Sequence, residues 1–183
     1  MSKSDFDAFV ARQQAEAHDK GYKPQQQLEQ WLRHLENLYA QIAEYLKPYI
    51  GKGTAKVELY DVDIYEEFIG KYKAKAMNLK IGISFFSFTP VGTMLIGTNG
   101  RVDVCGSLGN ARLVLIDKEV TSARQLIQVS FHRLGDSPPE LPKVKFANEI
   151  EWAWKLSTPP PEMNFLDLTQ EVFFSMIIAV ADA

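Results

Sequence analysis

Thr93-Met94-Leu95-Ile96-Gly97-Thr98-Asn99-Gly100-Arg101-Val102-Asp103-Val104-Cys105 is the stretch on which the fold class turns. Asn-Gly between two apolar-rich runs is a strong hairpin signal, because a type I′ turn needs two positive φ angles. Ser107-Leu108-Gly109-Asn110 then turns the chain into Ala111-Arg112-Leu113-Val114-Leu115-Ile116. The reading is a three-strand meander over about 93–116. Its simplest register sets Val102 against Leu115 and Val104 against Leu113, with Arg112 beside Cys105. So short a connection excludes parallel pairing.

The same period of two extends outward from Ala55 to Leu156. Val57 and Leu59 alternate with Lys56 and Glu58, and the apolar parity then shifts to Tyr60, Val62 and Ile64, which suggests a bulge or bend. Lys71, Lys73 and Lys75 alternate with Tyr72, Ala74 and Ala76. Leu79, Ile81, Ile83 and Phe85 follow, with Phe86 and Phe88 on the other side, and Pro90-Val91-Gly92 breaks the run. Ile127, Val129 and Phe131 predict another strand, and Ile150, Trp152, Trp154 and Leu156 a further one. The proline-rich stretch 134–142 between them reads as a surface loop.

Helices flank this region. Ser4 is a plausible N-cap for a weakly amphipathic helix ending near Gly21. Pro24 suits the first position of a second helix, since its missing N–H has no intrahelical partner there. Leu28, Leu32, Leu35, Tyr39, Ile42 and Leu46 recur at helical spacing, and Pro48 is predicted to close the helix near Lys47. At the other end, Asp167 and Gln170 suggest a capping box before Leu168, Val172, Phe173, Met176, Ile177 and Val180. A helix this apolar must be covered on most sides, by the sheet or by a second subunit.

Strands grouped apart from helices predict an α+β fold. The expectation is two N-terminal helices, a curved antiparallel meander sheet of about six to eight strands, and a C-terminal helix packed on the sheet. The N-terminal helical segment would occupy 1–50, its long amphipathic helix 24–47, with sheet and last helix in 51–183, together forming one compact domain.

Composition narrows the functional classes. The 183 residues carry 20 basic and 23 acidic side chains, a net charge of −3 that lacks the excess of a nucleic-acid binder. The single cysteine, Cys105, excludes an intramolecular disulfide and a cysteine-based zinc site. The opening residues lack an apolar signal core, and no run is long enough for a membrane helix, so the expectation is a cytoplasmic protein without membrane association.

Few residues suggest chemistry. Asp61, Asp63, Glu66 and Glu67 carry the oxygen donors of a hard-cation site, but a hairpin of 55–66 with 70–80 sets Asp63 opposite Lys73 and Asp61 opposite Lys75. That favours a solvated charge ladder over a metal site, and no cofactor is implied. His132, with Ser130 and Asp136 nearby, is the weak catalytic candidate, although Ser and His two apart on a strand stand parallel and no nucleophile elbow is present. Gly51-Lys52-Gly53-Thr54 lacks the spacing of a phosphate loop. Cys105 next to Arg112 could be an activated thiol, because a neighbouring cation lowers a thiol pKa, or an inert half-buried strand residue. Phe86, Phe88, Trp152 and Trp154 are the ligand-binding candidates, able to line a pocket between sheet and helix or simply to fill the core.

The absence of a catalytic constellation favours a non-catalytic protein-interaction role, as an adaptor, inhibitor or immunity-type partner, with self-association as a possible homodimer. The alternatives are a small-molecule or lipid carrier with an aromatic-lined cavity between sheet and helix, and an enzyme with a dispersed site.

Overall fold

The computed structural model describes residues 24–93, 98–126 and 150–181. Helix α1 spans Pro24–Gly51. Seven strands follow: β1 Ala55–Glu66, β2 Gly70–Ile81, β3 Ser84–Gly92, β4 Gly100–Cys105, β5 Asn110–Asp117, β6 Trp152–Ser157 and β7 Phe165–Asp167. Helix α2, Gln170–Val180, comes last, and a short 3₁₀ turn, Ala123–Leu126, lies between β5 and β6. The strands form one antiparallel sheet in sequence order, β1 to β7.

This corrects the expected architecture in two respects. One N-terminal helix stands among the described residues, not two; the first predicted helix, at 4–21, lies outside them. The sheet is open and does not curl round a space, because β1 and β7 remain separate edges. The predicted bend at Leu59–Tyr60 is also absent, since β1 pairs with β2 in unbroken register from Ala55↔Ile81 to Glu66↔Gly70. The parity change has another cause. Only Met77–Ile81 of β2 pairs with β3, so the outer half of the hairpin is a two-stranded ribbon. Such ribbons twist strongly. Burial accordingly passes from Met77 and Leu79 to Tyr72, Ala74 and Ile64 without any slip.

The Asn99-Gly100 turn is not a type I′ hairpin. Gly100 is already in β4, opposite Leu115, and no non-glycine residue has a positive φ among the described residues. The strand before β4 is Ser84–Gly92, and Met94–Gly97 of the predicted strand lies outside the described residues. The observed register sets Val102 opposite Leu113 and Val104 opposite Ala111, two residues from the expected one. A shift of two preserves the face of every side chain. Val102, Val104, Leu113 and Leu115 are therefore fully buried all the same. The predicted strand at 127–132 and the loop 134–142 lie outside the described residues.

Both helices cover one face of the sheet. Trp31, Leu35, Leu38, Tyr39, Ile42 and Leu46 of α1 meet Met77, Leu79, Phe88 and Trp154 in one core. Burying each such side chain contributes roughly 1.5–3 kcal/mol. The α1 helix runs through Pro48 to Gly51, with Pro48 forgoing the amide bond to the carbonyl of Glu44. Thr169, not Asp167, caps α2: its hydroxyl accepts from the Val172 N–H. Asp167 belongs to β7, where its carboxylate meets the buried Lys155 ammonium at 2.9 Å. Phe173, Met176, Ile177 and Val180 are buried within the chain, which removes the packing argument for a second subunit over that stripe.

Candidate functional site

The sheet face turned away from the helices is only partly covered. Val114, Ile116 and Phe165 lie beneath Val120, Ala123 and Leu126. Lys155, 1% exposed, also donates to the Lys118 carbonyl there. Towards β2 and β3 none of the described residues covers the face, and two hollows of about 290 and 520 Å³ adjoin at Cys105. Ile83 and Phe85 border the larger hollow. Asp103, Asn110, Arg112 and Ser157 line the smaller, with Pro159, Pro160 and Met163 as its wall.

Strand alternation explains the composition. Phe86 and Phe88 point into the core, so Phe85, Ser87 and Thr89 point outward. Val102 and Val104 point inward, so Arg101, Asp103 and Cys105 share the outer face. Register completes the rows: Ser87, Cys105 and Asn110 stand side by side, as do Thr89, Asp103, Arg112 and Ser157. Cys105 is therefore opposite Asn110, and Arg112 opposite Asp103, contrary to the expected neighbours.

Among the described residues, the charges of this patch do not cancel. Arg101 donates to both Asp103 oxygens, at 2.8 and 2.7 Å, in a bidentate pair. Arg112 has only a 3.7 Å contact to the same group, and it is the single ion pair of Arg112 among the described residues. Two guanidiniums on one carboxylate leave one positive charge at the mouth of the smaller hollow. From a strand spacing of about 4.8 Å and a rise of about 3.4 Å, the Arg112 and Phe85 backbones stand roughly 17 Å apart across this face. The polar and apolar ends thus bracket Cys105, which is exposed.

The ligand candidates expected from sequence lie on the other face. Phe86 and Phe88 are buried, Phe88 stacked on Phe173 at 6.5 Å. Trp154 packs on Trp31 at 5.9 Å and its indole N–H donates to the His34 carbonyl. Trp152 is half-buried beside the core. These rings fill the space between sheet and helix. Ser130, His132 and Asp136 lie outside the described residues. The sequence reading passed over Ile83, Phe85, Asn110 and Ser157; the signal was a lone ring in the polar alternation Phe85-Ser87-Thr89.

A second polar group lies at the far end of the sheet. Glu66, at the hairpin tip, accepts from the Thr93 N–H and hydroxyl, both at 2.9 Å, and from the Tyr72 hydroxyl. Burial and the Glu66 carboxylate push the Tyr72 phenol well above its usual range. A side chain at Gly92 would meet the Glu66 carboxyl carbon at 2.9 Å. The carboxylate is enclosed by donors, so the cluster latches the ribbon to the end of β3. Along the ribbon, Asp61 lies opposite Lys75 and Asp63 opposite Lys73, as the pattern predicts. The ion pairs run Asp61–Lys75 at 2.6 Å and, diagonally, Asp63–Lys71 at 3.2 Å. Among the described residues, no group of three or more His, Cys, Asp or Glu side chains could hold a metal, and no helix is long and apolar enough to cross a membrane. No family model, curated protein or solved structure matches this chain.

Proposed function

We propose that this chain is a carrier for a small amphipathic acid, bound along the open outer face of the sheet. The observation that supports this reading is the pairing of two adjoining hollows with unlike walls. Arg112, Asn110 and Ser157 offer donors to a carboxylate at one end. Ile83 and Phe85 offer apolar surface to a chain at the other. A pocket with mostly apolar lining and a few placed polar groups is the usual form of a small-molecule site. The binding surface thus lies opposite the one that the buried aromatic residues suggested.

Calorimetric titration with dodecanoate tests the proposal, with dodecanol as the uncharged comparison. Saturable one-site binding of the acid is expected, weakened about tenfold by Arg112→Ala, a difference of about 1.4 kcal/mol. Phe85→Ser is expected to weaken acid and alcohol alike. Absence of saturable binding, or equal affinity of Arg112→Ala and the parent chain, contradicts the reading.

A further inference from the structure

One end of the molecule gathers side chains that the fold itself does not use. The β2–β3 turn carries Ile83, 95% exposed, and the β4–β5 turn carries Leu108, 61% exposed. Phe85, 64% exposed, stands just behind Ile83. Each turn is tethered by a backbone hydrogen bond: the Gly82 N–H donates to the Thr54 carbonyl and the Leu108 N–H to the Val180 carbonyl. Isolated exposed apolar residues need no explanation, but two tethered turns that project large ones at the same end of a sheet do.

The flank of this end is basic. Lys56 and Lys80 stand directly opposite one another across β1 and β2, and both are exposed. Like charges in that position destabilise a sheet. Lys80 also lies 5.0 Å over the Phe85 ring, and Lys52 sits in the adjoining turn after α1. Among the described residues, Glu58 meets Lys56 only at 4.0 Å, while Asp61 and Asp63 lie further out along the ribbon in their own ion pairs. A chain of net charge −3 therefore carries a local basic corner beside its projecting apolar tips.

We infer that this corner docks onto an anionic lipid bilayer surface, with Ile83 and Leu108 entering the headgroup layer and Lys52, Lys56 and Lys80 above it. Projecting tips suit insertion, and a basic rim suits a negatively charged leaflet. The inference goes beyond the carrier reading. It has a functional corollary, because Phe85 borders the apolar hollow, so docking would bring its mouth to the membrane.

Co-sedimentation of the full chain with vesicles of phosphatidylcholine, with and without phosphatidylserine, tests it. Binding is expected only with phosphatidylserine, and is expected to fall steeply with added salt. Each lysine replaced by Gln should weaken it about fivefold. Ile83→Asp should abolish it while the thermal melt stays unchanged, since Ile83 makes almost no packing contact to lose. No binding to either vesicle, equal binding to both, or concentration-dependent self-association that Ile83→Asp abolishes would overturn the inference. Dodecanoate affinity is read separately, so either proposal can fail alone.

Discussion

Gly100 lies against the six-membered ring of Trp31 so closely that a Cβ there would stand 2.1 Å from a ring carbon. The ring is fully buried and packs at 5.9 Å from Trp154 on its other contacts. The glycine that reads as a turn residue is thus a seat for the first buried side chain of α1.

Gly100→Ala should therefore cost roughly 2–4 kcal/mol, because neither the backbone strand nor the buried ring has room to move. Differential scanning calorimetry should show a Tm drop of about 10 °C. Gly51→Ala is the control: no atom lies within 4 Å of its added carbon and Gly51 ends a helix, so the Tm should hold or rise slightly.

Glu66→Gln should destabilise by about 1.5–3 kcal/mol. The amide loses the charge that draws three donors, and its NH₂ must face one of them. Urea unfolding should show a lower midpoint at an unchanged slope. An unaltered midpoint would show that the ribbon is held without its latch.

High pH acts through two phenols. Burial holds the Tyr39 hydroxyl, which donates to the Lys75 carbonyl at 2.9 Å, well above its ordinary 10.0. Tyr72 is raised likewise, by burial and by Glu66. Both groups bind protons more tightly folded than unfolded, so their contribution is intact below pH 10 and is lost as pH rises further. Phenolate absorbance should therefore include a cooperative step that coincides with loss of the far-ultraviolet dichroism. The step should shrink in Tyr39→Phe.

Mild acid acts through His34. Its imidazole is lowered from 6.5, chiefly by burial and secondarily by Arg33. The neutral ring is the folded form, so the unfolded chain takes up the proton first and stability declines as pH falls below 6.5. His34→Gln should flatten the dependence of Tm on pH in that range. An identical slope in parent and variant would remove this assignment.

How much of this was legible in the sequence depends on the range of the forces involved. The alternation of Val102, Val104, Leu113 and Leu115 gave the buried face correctly even with the register wrong by two, because parity survives such a slip. The pairing of Asp61 with Lys75 and Asp63 with Lys73 was readable, since the hairpin closes within a few residues. Gly100 was misread because its neighbour Trp31 is distant in sequence. Asp167 was misread as a cap because its partner, Lys155, is on another strand. β7 is three residues long and gives too little alternation to detect. For the candidate site, the alternation set Phe85 on the face opposite Phe86 and Phe88, but which face is outward was not legible, nor was the excess charge at Arg112. That excess exists only once Arg101 has taken both oxygens of Asp103.

Cys105 sits where the two hollows adjoin and is exposed, which makes its thiol a direct reporter of occupancy. The rate of its alkylation by iodoacetamide, measured with and without saturating dodecanoate, tests the proposed binding surface. Protection that disappears in Arg112→Ala at the same dodecanoate concentration is the predicted result. An alkylation rate indifferent to dodecanoate would contradict it.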